Sequence, residues 1–165
     1  ANTRDKGINE MSSALKRRFN FETVEPVKNP KIEAEIIKNQ CESLFELADI
    51  DMSVEDDVVE VLSTTFNELR NGRSLENAKI QELNSIVSTA EAVSVYYQSA
   101  LYSYYYGNKK IEMSTLLSNL IGSVAKENKE DLPKLKNYFN NSIKAKAEKL
   151  GKRWKEYYES RNLIK

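Results

Sequence analysis

Apolar residues return at threes and fours along most of the chain, and these recurrences divide it into helices. Ile32, Ile36, Ile37, Leu44 and Leu47 mark one helix, with Asn29 placed to cap it and Pro30 suited to its first position, so a helix from Pro30 to about Ala48 is expected. Val54, Val58, Val61, Leu62, Thr65 and Leu69 form the stripe of the next, opened by Ser53 with Asp56 and Asp57 in its first turn and stopped by Asn71-Gly72. Ser88-Thr89-Ala90-Glu91 has the form of a capping box, in which the Ser oxygen and the Glu carboxylate each satisfy a backbone donor at a helix start. That helix should end at Gly107, a residue type that tolerates the left-handed conformation. Met113, Leu116, Leu117, Leu120, Ile121 and Val124 make a shorter helix. Asp131-Leu132-Pro133 then starts a last one, with Leu135, Tyr138, Phe139, Ile143, Ala147, Leu150, Trp154 and Tyr157 on its buried stripe and its lysines facing water.

Two stretches depart from this period. Residues 73 to 87 are a polar connector, long for a helical domain. Near the start, Asn9 to Arg18 suits a short helix, with Met11, Ala14 and Leu15 at helical spacing and Lys16, Arg17 and Arg18 at its end. Phe19, Phe21 and Thr23 then alternate with Asn20, Glu22 and Val24, the pattern of a short strand, before Glu25-Pro26 interrupts it. A lone strand cannot satisfy its own hydrogen-bond ladder, so either it pairs with a partner from elsewhere or it is irregular in isolation. The fold class is therefore mainly α: a helical bundle preceded by a short strand and followed by a long C-terminal helix.

Composition narrows the chemistry. The chain has 165 residues, room for one domain with an appendage, and its 25 basic and 25 acidic residues cancel. They are unevenly placed: residues 1 to 125 carry 13 basic and 19 acidic residues, net minus six, and residues 126 to 165 carry 12 and six, net plus six. The basic segment reads as a solvated face set against an acidic body, with polyanion binding as the other reading. There is no His, and Cys41 is alone, which removes Ser-His and Cys-His chemistry and any internal disulfide and points to a reducing cytoplasm. No Gly-rich phosphate loop, metal-ligand cluster or nucleophile-base pair is present, so the chain alone is expected to be catalytically silent. The uncharged stretch Ala92 to Asn108 is too short and too polar to span a membrane. Its six tyrosines have no Lys or Arg interleaved between Lys79 and Lys109, which favours packing over stacking on nucleic-acid bases. The opening Ala-Asn-Thr-Arg-Asp has no initiator Met and reads as a piece of something longer.

Asn2-Thr3-Arg4-Asp5-Lys6-Gly7, continuing through Met11-Ser12-Ser13-Ala14-Leu15-Lys16-Arg17-Arg18-Phe19-Asn20-Phe21, resembles the second half of the core domain of MoxR-type AAA+ ATPases. The resemblance implies that Asn2 is the sensor-1 residue. It further implies that Arg18, with Arg17 as a weaker alternative, is an arginine finger acting on a neighbouring subunit's nucleotide, and that Phe19 to Val24 is the last strand of the core sheet. Three parts follow from it: residues 1 to 28 as the end of the nucleotide-binding core, 29 to 125 as a helical lid, and 126 to 165 as a basic helical extension. Ser88-Thr89-Ala90-Glu91-Ala92 falls where the lid's sensor-2 helix begins, but Ala90 stands where family members commonly carry an Arg. The resemblance implies that the whole protein binds ATP and Mg, hydrolyses ATP in a hexameric ring, and remodels a client in a chaperone-like manner, with von Willebrand factor A domain proteins as typical partners. The alternative class is a helical protein-interaction module with no nucleotide role.

Overall fold

The computed structural model describes residues 13–18, 26–84, 87–125 and 129–165. Asn2 and the expected strand from Phe19 to Val24 lie outside the described residues. The described chain is mainly helical. Helix α1 (Ser13–Lys16) precedes α2 (Pro30–Leu47), α3 (Asp56–Asn71), α4 (Thr89–Tyr106) and α5 (Met113–Ala125). The C-terminal part comprises α6 (Asp131–Tyr138), a π-helical turn (Phe139–Ile143), α7 (Lys144–Lys149), α8 (Lys152–Glu159) and a closing 3-10 turn (Ser160–Leu163).

Side-chain caps set the two best-defined helix starts. The Asn29 carboxamide accepts from the Lys31 N–H at 2.9 Å, and Pro30 loses nothing at a position whose N–H has no intrahelical partner. At α4 the Glu91 N–H donates to Ser88 Oγ at 3.2 Å, and the Ser88 N–H donates to Glu91 Oε2 at 2.8 Å. Helix α3 begins at Asp56 and not at Ser53, because Glu55 takes the capping position in extended backbone and gives its N–H to the Tyr96 hydroxyl at 2.7 Å. It stops where Gly72 adopts φ +63°.

Helix α3 is the axis of the domain. Val58, Val61, Leu62, Thr65 and Leu69 are buried as the stripe requires, but so are Val59, Ser63, Thr64, Phe66, Asn67 and Glu68. A helix buried nearly all round must be packed from several sides. Here α2 and α4 cover part of it, and α8 covers another part. Helix α5 packs against α4, α6 and α8 and so closes the ring of neighbours. The connector after α3 is only partly open: Arg73 and Lys79 pair as an antiparallel bridge, and Ser74, Ile80 and Val87 are buried.

The last helix is the main departure from expectation. Its apolar spacing continues through residue 157, yet the chain turns at Leu150 and Gly151, where Gly151 takes φ +71°, ψ −176°. Helix α8 consequently folds back to pack on α7. Trp154 and Tyr157 are buried in this arrangement, while Leu150 is 45% exposed. Nor do all the lysines face water, since Lys146 is buried. At the other helix end, Gly107 has φ −120° and is not left-handed; a side chain is excluded because a Cβ would lie 3.0 Å from the Ser103 carbonyl oxygen.

Candidate functional site at the start of helix α4

Four parts of the chain meet where it enters the bundle: residues 27 to 29, the first turns of α2, the last turn of α3 and the start of α4. Arg70 joins them. Its Nε donates to the Val87 carbonyl at 2.9 Å, one terminal nitrogen donates to the Val27 carbonyl at 3.0 Å, and the other pairs with Glu33. Glu33, wholly buried, also accepts from the Thr89 hydroxyl at 2.9 Å. Asn67 supports the junction by donating to the Lys28 carbonyl at 3.1 Å and by accepting from Asn71 Nδ2 at 2.9 Å. The rigid fork of a guanidinium suits this job, because three directed donors are met by three acceptors on different segments.

The junction's chemistry is structural. It lies where the resemblance puts nucleotide sensing, but the carboxylates of Glu33 and Glu91 stand at the helix start and oppose an anion there. The nearby arginine is committed to Val87, Val27 and Glu33. The described residues at this end thus bring together two carboxylates and one committed guanidinium. Among them no group of His, Cys, Asp or Glu is arranged to hold a metal.

Of the sequence-predicted residues, Arg17 and Arg18 lie on the turn after α1 with exposed side chains. Neither guanidinium is ion-paired among the described residues, and the structure does not bring them to the Arg70 junction. Asn2 lies outside the described residues. The six tyrosines of α4 divide as packing requires: Tyr96 is buried, and burial first of all pushes its hydroxyl pKa up, while Tyr102, Tyr105 and Tyr106 are exposed.

Sequence reading missed two further polar clusters. In one, Glu68 accepts from Lys146 Nζ, the Tyr138 hydroxyl and the Leu75 N–H, each at 2.7 Å. Burial, then the Glu68 carboxylate, raises the Tyr138 pKa well above its ordinary value. The position of Lys146 was a usable signal, because it sits three residues after Ile143 and four before Leu150 on the apolar stripe. In the other cluster, Arg153 on α8 donates to Glu55 at 2.5 Å and Asp57 at 2.7 Å, and Glu55 also accepts from the Ile111 N–H at 2.8 Å. Cys41 is no nucleophile: burial, then the nearby Glu42 charge, pushes its thiol up to about 12.

Comparison with known proteins places this helical domain among the C-terminal domains of AAA+ ATPases. A family model, the YehL-like AAA+ ATPase C-terminal domain, matches residues 31–165, and the chain belongs to this family. It is 37% identical over 165 residues to the uncharacterized protein YehL of Escherichia coli (strain K12), covering 99% of this chain and 44% of the relative. The chain thus spans less than half the length of that curated relative. No solved structure matches it.

Proposed function

We propose that the chain is the end of the nucleotide-binding core and the helical lid of a MoxR-like AAA+ ATPase, whose longer form hydrolyses ATP with Mg in a ring and remodels a client protein. The observation that carries this reading is the family match over residues 31–165, joined to the way the chain enters the lid. Val27 and Lys28 are held by Arg70 and Asn67 beside the start of α4, so whatever precedes residue 26 attaches at the end where the lid's capped helix begins. Arg18, exposed at the end of α1, would reach from this side to the nucleotide of the next subunit, with Arg17 as the weaker alternative. A trans arginine neutralises charge that develops during phosphoryl transfer, an effect of about 10³ to 10⁵ in rate. Asn2 is assigned to sensor 1 on the resemblance alone. Because α4 carries no basic residue and Arg70 is committed, the lid would respond to nucleotide by moving as a body and not by grasping the phosphate. A von Willebrand factor A domain protein is the proposed class of partner.

The test is steady-state ATP hydrolysis by the longer protein. Arg18→Ala should be inactive alone and regain activity when mixed with a subunit that lacks the phosphate-loop lysine but keeps Arg18. Wild-type rates for Arg18→Ala would remove the finger assignment. Absence of any ATPase activity in the longer wild-type protein would leave the helical interaction module as the better reading.

A further inference from the structure

Two exposed features of the chain are complementary in charge. One is an open depression of about 650 Å³ at the far end of α2. Phe45, Ile50 and Met52 give it an apolar floor, and Glu42, Glu46 and Asp49 stand exposed among its lining residues. Residues 30 to 60 hold ten Asp and Glu; Glu33, Asp51, Glu55, Asp56 and Asp57 are ion-paired, whereas Glu42, Glu46 and Asp49 have no ion pair among the described residues. Lys38 is already paired with Asp56 at 2.8 Å, so it does little to neutralise the rim.

The other feature is the corner between α7 and α8. The turn at Gly151 leaves Leu150 45% exposed, with Lys149 and Lys152 exposed on either side of it and Lys152 held loosely, 3.4 Å from Glu156. Gly151 is open as well, since a Cβ there would meet nothing within 4 Å. An apolar knob flanked by lysines is the complement of an apolar floor rimmed by carboxylates: the leucine loses water, the lysine stems lie over apolar surface and their ammonium groups meet the acidic rim.

We propose that the Lys149–Lys152 corner of one copy seats in the Glu42–Glu46–Asp49 depression of a second copy. The contact uses two different patches of one chain, so every copy offers one of each, as a ring of identical subunits requires. It does not rest on the ATPase reading, because it needs neither nucleotide nor Arg18. The competing occupant of a basic corner, a polyanion, is an outcome of the same test.

The experiment is sedimentation equilibrium of the 165-residue chain at ionic strengths from about 0.02 M to about 0.5 M. Association should increase with protein concentration at the low end and weaken about tenfold or more at the high end. The reversals Glu42→Lys/Glu46→Lys/Asp49→Lys and Lys149→Glu/Lys152→Glu should each abolish it, and Leu150→Ser should weaken it. An equimolar mixture of the two reversed chains should associate again, a rescue that misfolding cannot produce. A monomer at every ionic strength overturns the proposal, as does association that the reversals leave unchanged or mixing does not restore. Monomeric wild type that binds heparin, with the binding lost in the lysine reversal, would overturn it and assign the corner to polyanions.

Discussion

Two cations of the bundle are held by carboxylates far away along the chain. Lys146 meets Glu68, 78 residues away, and Arg70 meets Glu33, 37 residues away. Residue type argued for solvent, position argued for the core, and only the fold supplies the carboxylate that reconciles them. Removing one member of a buried pair strands the other, so Lys146→Ala or Glu68→Ala should cost about 3 to 5 kcal/mol, measurable by urea unfolding. Lys146→Met with Glu68→Gln should cost less than either, because no buried charge is left unpaired. Buried acids give the domain an alkaline limit. The Cys41 pKa rises from 9.0 to about 12, and Tyr96 and Tyr138 shift the same way, so the folded state keeps protons that the unfolded chain gives up. This contribution is complete below pH 9.0 and is lost as pH rises toward about 12. Urea midpoints should therefore hold up to about pH 9 and fall as pH rises from there toward about 12, and Cys41 should resist alkylation until the chain unfolds.

Helix starts were more legible than helix ends. Asn29-Pro30 and Ser88 to Glu91 act through local hydrogen bonds, so their sequence neighbours are their structural partners. Ser88→Ala should cost about 1 kcal/mol, read as a lower thermal midpoint. The end at Gly107 was placed correctly, but the conformation was not; the glycine is required by close approach to Ser103 and not by positive φ. The break at Gly151 was invisible because Leu150, Trp154 and Tyr157 keep helical spacing across it. Periodicity records which residues are apolar, and it cannot distinguish a helix that continues from one that turns and packs on itself. Gly151→Ala should destabilise the domain by about 1 to 3 kcal/mol, since φ +71° with ψ −176° is nearly confined to glycine. The same substitution should weaken self-association if the corner shifts.

At the scale of the molecule, the class of fold was readable from period and caps, while the packing around α3 was not. A stripe predicts one buried face, whereas α3 is enclosed by α2, α4 and α8 together. A polar residue such as Asn67 gave no sign of it, because it meets the Lys28 carbonyl only in the folded chain. Legibility of the site was also divided: the start of α4 was visible as a cap, but the Arg70 junction beneath it was not. That junction has a mechanical consequence. It fastens the entering chain to the roots of α2 and α4 at once, so any hinge toward an upstream domain must lie before Val27. Helix α2, 18 residues and about 27 Å long, is then a lever arm whose far end carries the acidic depression. A swing of about 10° at its root would carry that rim about 5 Å, roughly one helical turn, which is far enough to engage or release a neighbour's corner.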